Sequence, residues 1–568
     1  MIRQLFKFKG GVHPPQHKLI STAQPIQAAT LAKQLALPLH QHIGESAVPI
    51  VEVGDHVLKG QKIARAEGYV SASVHASSSG TVVAIEERPI PHPSGLNAPC
   101  IIIDTDGEDR WTEHGAPATG YTEMPASQLR NLIRTSGIVG LGGAGFPSYI
   151  KLNPAGSQID TLILNGVECE PYISCDDMLM RERPEQVIAG AKVMRHALQA
   201  KQVLIAIEDN KPEAYAALVE ACADEDIEVI QVPTLYPQGS EKQLIKVLTD
   251  KEVPSNGLPV QIGIVVHNVG TAAAIHNAID LGKPLTSRIV TITGDGVAEP
   301  CNLEVPLGTP MQHLLDQCGG LRNDVDRIIM GGPMMGFAMH NTAIPVVKTT
   351  NCILAATKDN VTPPSDIMPC IRCGVCADVC PVELLPQQLQ WFARAKEFDR
   401  AQEYNLFDCI ECGCCSYVCP SNIPLVHFYR YAKTEIWAQE REKEKADQAR
   451  QRHEFRLARI EREAAEKAAR LAKKKAAAQA GGGNKQAAIQ AAMARAKAKK
   501  HAQGNEPRNT DNLTESQQQQ VNKADEMRAK AMQIAESRRA QAQAAMTDKS
   551  GKTVKTDSDK QTAKDEKK

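Results

Sequence analysis

Cys370-Ile-Arg-Cys373-Gly-Val-Cys376-Ala-Asp-Val-Cys380-Pro381 returns as Cys409-Ile-Glu-Cys412-Gly-Cys-Cys415-Ser-Tyr-Val-Cys419-Pro420. Both stretches read C-x2-C-x2-C-x3-C-P. Three thiolates at that spacing wrap one corner of an iron–sulfur cube, and the fourth cysteine crosses to the neighbouring cluster. The spacing therefore assigns one [4Fe–4S] cluster to Cys370, Cys373, Cys376 and Cys419, and the other to Cys409, Cys412, Cys415 and Cys380. Structural zinc sites space their ligands as two pairs, which does not explain three close cysteines and a distant fourth. Cys414 is a spare small residue between ligands. A chain with this pair of motifs moves single electrons.

The rest of the composition narrows the class. At 568 residues the chain is long enough for about three or four domains. A formal net charge of −1 offers no footprint for nucleic acid. Sixteen cysteines in a large chain with cluster motifs point to a reducing compartment rather than a disulfide framework. The start, MIRQLFKFKGGVHPPQHK, has no apolar core of a secretory signal, and no run approaches the roughly 18–20 apolar residues of a membrane span. Neither end carries a lipidation signal. The expectation is a cytoplasmic protein that reaches a membrane only through partners.

Outward from the cysteines, five segments are expected, giving a multidomain α/β and α+β chain. Residues 1–120 hold short β-rich runs: Val48 onward to a turn at Gly54-Asp55, a strand from Val57 to Ala64, and another from Val74 through Gly80. The phrases VGDHVLKGQ and HASSSGTVVAI resemble the barrel-sandwich hybrid fold of biotinyl and lipoyl carriers. Gly68–Val74 stands where those carriers place a modified lysine and has none, so a scaffold is expected, not a swinging arm. Residues 121–285 alternate β-rich runs (Leu162–Leu164, Val203–Ile207, Ile227–Ile230, Ile262–Val266) with helical spacing over Pro184–Ala200 and Pro212–Ala223, the pattern of an α/β domain with a mostly parallel sheet. Residues 286–355 return to strands and Gly/Pro turns, a small α+β domain. Residues 356–435 carry the cysteines, and Leu384, Leu385, Leu389, Trp391, Phe392 and Ala395 at helical spacing between the motifs predict a helical two-cluster domain. Residues 436–568 form a low-complexity charged tail rich in Ala, Lys and Glu. It is helical where i,i+4 ion pairs allow and solvated elsewhere. Ala488–Lys500 is locally amphipathic.

Gly140-Leu-Gly-Gly-Ala-Gly-Phe-Pro147 lets backbone N–H groups approach a phosphate or a flat ring. Lys151 follows, then Asn165-Gly-Val-Glu168-Cys-Glu170-Pro171 at the end of an expected strand. Together with two clusters, a nucleotide-like site points to hydride chemistry feeding one-electron carriers. A flavin is the converter between the two.

GLGGAGFP with its lysine, and N-x-x-E-x-E-P, resemble the flavin and acidic loops of the NADH-binding subunit of respiratory complex I. The whole order is closer to the C subunit of the Rnf electron-transport complex (RnfC, also called RsxC). That order is a barrel-sandwich domain, GLGGAGFP, NGVECEPYISCDD, IEDNKPEA, HNVGTA, MGGPMMG, the two cluster motifs and an Ala/Lys-rich tail. The resemblance covers about residues 1–435. It implies a Rossmann-like α/β domain for FMN and NADH, and a β-grasp (SLBB-like) domain over 286–355 for which no ligand is expected.

By the same resemblance Gly140, Gly142, Gly143 and Lys151 line a non-covalent FMN, with Asn165 and Glu168 against it. Glu170 and Phe146 meet the nicotinamide nucleotide NAD(H), the carboxylate accepting ribose hydroxyls. Tyr236, Gly239 and Glu241 match a further FMN segment. His267, Asn268, Val269 and Thr271 match the residues that hold its phosphate. Three positions depart from the complex I pattern: Val167 replaces an aspartate, Ser240 a glutamate, and Pro154 a stacking aromatic.

The function implied is the NADH-interacting electron-input subunit of a membrane-bound ion-translocating complex, exchanging hydride between NAD(H) and FMN and single electrons through both clusters. No catalytic residue beyond the flavin is required. Implied partners are the ferredoxin-like B subunit and the A, D, E and G membrane subunits, with the chain peripheral on the cytoplasmic face of a bacterial inner membrane. Two alternatives share the motifs: a reductase that keeps a redox-sensing transcription regulator reduced, and an electron-wire subunit that binds no nicotinamide. His75, His267 and His313, Cys169, and the methionines of Met330–Gly336 are read as packing or surface residues.

Overall fold

The computed structural model of the chain describes residues 3–113, 120–154, 156–359, 361, 366–479 and 485–502, and beyond these 522–523, 526–530 and 532–533. Most of the tail expected after residue 502 lies outside the described residues. Within the tail, the unit Asp447–Lys568 holds the later part of the helix Leu425–Gln479 and the helix Lys485–Ala502. Phe455, Leu457, Ile460 and Leu471 of the long helix are exposed. The unit Met1–Ala446 contains every cysteine and all the sheets.

Two small sheets come first in the chain. Gln34–Pro38, Asn97–Thr105, Gly80–Pro89 and His56–Val57 form one; Val48–Pro49, Lys62–Arg65 and Val74–His75 form the other. Leu35, Leu37, Val57, Ile63, Val82 and Ile101 turn inward and are buried. The single strand expected from Val57 to Ala64 is two strands in different sheets. Gly60 turns the chain between them at φ +81°, and the Gln61 side chain accepts from the Leu58 N–H (3.0 Å). The Gly68–Val74 hairpin is docked, not free. Ser71, Ala72, Ser73 and Val74 are buried, and the Tyr149 hydroxyl donates to the Tyr69 carbonyl. Buried Lys348 donates to the carbonyls of Ser73 and Gly137, each at 2.7 Å.

The next sheet is parallel, in the order Glu228–Val232, Gln202–Glu208, Thr161–Gly166, Ile264–Asn268. Its strands are nearly continuous apolar runs because helices cover both faces. The chain starts at Thr161–Gly166, steps twice to one side, then returns to place Ile264–Asn268 on the other. Ligands in such sheets sit outside the carboxyl ends of the strands at that reversal.

A six-stranded sheet follows, built on Ser287–Thr293, Cys301–Pro306, Val325–Met330 and Phe337–Met339, with Cys352–Thr357 in its middle and Gln27–Ala28 on its edge. The cysteine region is helical, as expected from its apolar spacing: Pro386–Ala395, Phe398–Glu403 and the start of Leu425–Gln479 pack Leu389, Ala393, Leu406, Tyr429 and Ile436 into one core.

The N-terminal segment belongs to none of the first sheets. The Gly11 N–H donates to the Val379 carbonyl beside Cys380 (3.0 Å), Val12 bridges Tyr236, and the Tyr172 N–H donates to the Gln16 carbonyl (2.8 Å). It straps the cysteine region to the parallel-sheet domain.

Burial pushes the Lys348 ammonium down from 10.5 to about 7. The unfolded chain therefore binds the extra proton between those values, and stability rises with pH across that window. Lys348→Met should flatten the rise, read as denaturation midpoints at about pH 7 and about pH 9. Parallel slopes in parent and variant would clear Lys348 of this role.

Candidate functional site

At the reversal of the parallel sheet, Asn165 and Asn268 face each other in register on adjacent strands. Asn268 caps the helix Val269–Asp280 by accepting from the Gly270 N–H (2.9 Å), and its amide donates to Asp176 Oδ2 (2.6 Å). Thr271 in the same helix accepts from the Leu141 N–H (3.0 Å), which seats the glycine loop on the helix start. Asn165 accepts from the Val167 N–H (3.1 Å) and donates to the Gly239 carbonyl (2.8 Å), tying the acidic loop to the Tyr236–Gly239 turn.

The acidic loop is held from both sides. Glu168, at φ +48°, accepts from the N–H groups of Asp176 (2.7 Å) and Asp177 (3.2 Å) at the start of the helix Cys175–Glu182. Glu170 accepts from the N–H groups of Met334 (2.7 Å) and Met335 (3.0 Å). Beneath the loop, buried Lys18 donates to the carbonyls of Glu168 (2.8 Å), Glu170 (2.8 Å) and Ile173 (2.6 Å). Burial raises the pKa of both glutamates; Lys18 and Lys211 oppose it at Glu168, and the Met335 and Met334 N–H groups oppose it at Glu170.

These parts enclose a cavity of about 480 Å³. Of the expected residues, Gly142, Gly143, Asn165, Glu168, Glu170, Tyr236, Gly239 and Asn268 stand on its wall. Gly140, Phe146, Lys151, Glu241 and Thr271 do not. Lys151 is committed to Glu241 (2.6 Å) and to the Val266 carbonyl (2.9 Å). The Phe146 carbonyl accepts from the Gly140 N–H (2.8 Å) and closes the glycine loop on itself. Lys151, Glu241, Phe146, Gly140 and Thr271 thus shape the loops instead of lining the cavity. His267 is buried, and burial pushes its imidazole down to about 3.

One wall was not foreseen. Met330-Gly-Gly-Pro-Met-Met-Gly336 is a tight turn, as expected, but Met330, Gly332, Met335 and Gly336 also line the cavity, with Thr349 and Asn351. The small sheet domain is therefore part of the site. Gly332 fits against Glu170 so closely that a methyl there would lie 2.2 Å from the Glu170 Cγ.

The cysteines gather in two further pockets. Cys370, Cys373, Cys376 and Cys419 line one of about 300 Å³, with Trp391 beside them. Cys380, Cys409, Cys412 and Cys415 line a tight one of about 20 Å³, with Cys414 also on its wall. Each set takes three cysteines from one motif and one from the other, and four thiols converging with no histidine or carboxylate on the pocket wall suit an iron–sulfur cluster. Cys412 and Ile410 line both the tight sulfur pocket and the 480 Å³ cavity. The Tyr236 hydroxyl donates to the Cys412 carbonyl (2.7 Å), so the same tyrosine stands on the cavity wall and braces the cysteine loop. For a flavin, the bare backbone of Gly142 and Gly143 beside the amides of Asn165 and Asn268 suits a flat ring and a phosphate.

Sequence reasoning missed Lys18, Asp176 and the Met330–Gly336 wall. The only signal was NGVECEPYISCDD, whose last acidic residues start the helix that Glu168 caps.

Four family models match the chain: "Nuo51 FMN-binding domain" over residues 133–277, "RnfC Barrel sandwich hybrid domain" over 6–108, "SLBB domain" over 289–338, and "4Fe-4S dicluster domain" over 369–423. A Pseudomonas aeruginosa protein, named as the C subunit of an "Ion-translocating oxidoreductase complex", is 52% identical over 467 residues, 82% of this chain and 60% of that protein. Proteins of the same name from Serratia proteamaculans and Salmonella gallinarum are 47% and 46% identical, covering 87% and 89% of this chain and 70% and 74% of their own lengths. The chain thus spans less than two thirds of the Pseudomonas protein.

The mixed cysteine sets make a specific expectation. Cys380→Ser should remove the same electron paramagnetic resonance signal as Cys409→Ser, and iron should fall from about eight to about four per chain in either. Cys419→Ser should instead match Cys370→Ser. Signal loss that follows each motif as a block would reject the exchange. Gly332→Ala should push Glu170 off the Met334–Met335 turn and lower stability by about 1–3 kcal/mol, measured by chemical denaturation; an unchanged midpoint would show that the turn absorbs the methyl.

Proposed function

The chain belongs to the family of C subunits of ion-translocating oxidoreductase complexes, and on that premise we propose that it is the electron-input subunit of a membrane-bound complex, taking electrons from NADH. It is an oxidoreductase subunit with an FMN-binding and a 4Fe-4S dicluster domain. The observation that carries the finer reading is the shared wall: Cys412 and Ile410 belong both to the 480 Å³ cavity and to the tight sulfur pocket. When bound, FMN would supply hydride exchange with nicotinamide, and two [4Fe–4S] clusters would supply single-electron exchange.

The chain's own residues have separable tasks in this reading. Gly142 and Gly143 let backbone reach the flavin, while Asn165 and Asn268 set the width of the cleft between two strands. Glu168 and Asn268 hold the start of their helices, and Tyr236 fixes the cavity against the Cys412 loop. Glu170 offers the carboxylate for nicotinamide ribose. Cys373 is exposed, so the larger sulfur pocket is the one an outside acceptor reaches. That acceptor is proposed to be the ferredoxin-like B subunit, within a complex whose A, D, E and G subunits couple NAD/ferredoxin oxidoreduction to ion transport. No helix among the described residues is long and apolar enough to cross a membrane; the proposed place is peripheral, on the cytoplasmic face of the inner membrane.

One observation favours the wire reading, in which no nicotinamide binds. The Glu170 carboxylate already accepts two backbone N–H groups of the Met334–Met335 turn, and Val167 stands, buried, where complex I has an aspartate.

The two separate in one experiment. Anaerobic protein reconstituted with FMN and both clusters is mixed with NADH, and the flavin's visible band is followed. Bleaching is expected; an unchanged band would leave the wire reading. Glu170→Ala should slow the bleaching by about tenfold or more with FMN content intact, a loss of about 1.4 kcal/mol or more. Equal rates would remove Glu170 from nicotinamide recognition.

A further inference from the structure

A second cavity, of about 280 Å³, lies where the barrel-sandwich, parallel-sheet and six-stranded-sheet domains meet. Its rim carries Lys59, Lys283 and Arg183, and its floor reaches Gly270, Cys175 and Asp176. Asp176 also lines the 480 Å³ cavity, so this one carboxyl stands on the walls of both. Its two oxygens face different ways. Oδ2 accepts from Asn268 (2.6 Å) on the flavin side; Oδ1 lies toward Gly270, where an added methyl would come within 3.4 Å of it.

Resting on the flavin reading above, we propose that Asp176 carries the proton that accompanies flavin reduction, passing it between water in the second cavity and the flavin cavity. A hydride brings two electrons and one proton to FMN, and the reduced flavin's second proton comes from the medium. Asp176 in its acid form breaks its O–H bond to deliver that proton. Its carboxylate then takes a replacement from water, and both steps reverse on reoxidation. Asp176 neither gains nor loses electrons.

The surroundings keep both forms of the carboxyl within reach. Burial, and then the negative charge of Glu168, raise its pKa to about 7, while Asn268, Arg288 and Lys211 pull the other way. Glu168 faces it from the acidic loop, Cys175 from its own helix and Arg288 from the strand Ser287–Thr293; a side-chain oxygen or sulfur of each of Glu168, Cys175 and Asp176 lies within 4.8 Å of the others. A group poised near neutrality is an efficient proton carrier.

The test separates this idea from nicotinamide binding by using pre-reduced methyl viologen, a one-electron donor that carries no proton, as well as NADH. FMN-loaded protein is reduced anaerobically in weak buffer, and proton uptake is followed with a pH-indicator dye beside the flavin band. Asp176→Asn keeps the acceptor for Asn268 but has no acid proton. Its proton uptake, counted per bound FMN, should lag about a hundredfold behind the parent with either reductant. Asp176→Glu should restore most of the rate, and a small diffusible acid such as formic acid should rescue the asparagine variant. In the flavin-free protein, infrared difference spectra should show a carboxyl titrating near neutrality that Asp176→Asn abolishes. Parent-like uptake in Asp176→Asn would overturn the proposal. Uptake with reduced methyl viologen but none with NADH in the parent would sink only the nicotinamide reading.

Discussion

A lysine ammonium buried under a loop organises this site. Lys18 donates to three carbonyls of the acidic segment, and those carbonyls have no other reason to converge. A charge taken out of water is costly unless its hydrogen bonds are replaced, and here all three N–H groups have acceptors. With the backbone pinned, Glu168 and Glu170 point away from each other, one to a helix start and one to the Met334–Met335 turn. Burial lowers the Lys18 pKa, so the ammonium depends on those carbonyls as much as they depend on it.

The same device recurs. Lys211 donates to the Val167 carbonyl (2.8 Å) and pairs with Glu208 (2.9 Å), and Lys348 joins the barrel-sandwich hairpin to the turn at Gly137. Each is a long side chain whose donors reach acceptors on separate segments. Such staples tie separate segments together beside a continuous apolar core. The acidic loop thus sits between Lys18 from the N-terminal strap and Lys211 at the start of the helix Pro212–Ala221.

How much of this was legible depended on distance along the chain. The cysteine pattern, the glycine loop and the strand–helix alternation are local, and local geometry constrains them. The residues that carry the acidic loop do not announce themselves: Lys18 lies 150 residues from Glu168, and a lone lysine near a terminus reads as surface. Likewise the Met334–Met335 turn meets Glu170 across 164 residues. Lys151 and Glu241 were matched to ligand-binding positions by motif, yet they neutralise each other outside the cavity, because a cation and a carboxylate brought to 2.6 Å satisfy one another first. The strand expected through Gly60 failed for a local reason, a left-handed glycine in a β-rich run.

The docked hairpin has a wider consequence. Folds of this kind elsewhere ferry a reactive group on a mobile tip, so that one carrier visits several stations. Here the tip is wedged between Tyr149 and Lys348. The protein has a stationary terminal instead of a courier, and traffic must come to it. A tip held on both sides cannot carry anything from one site to another within the molecule.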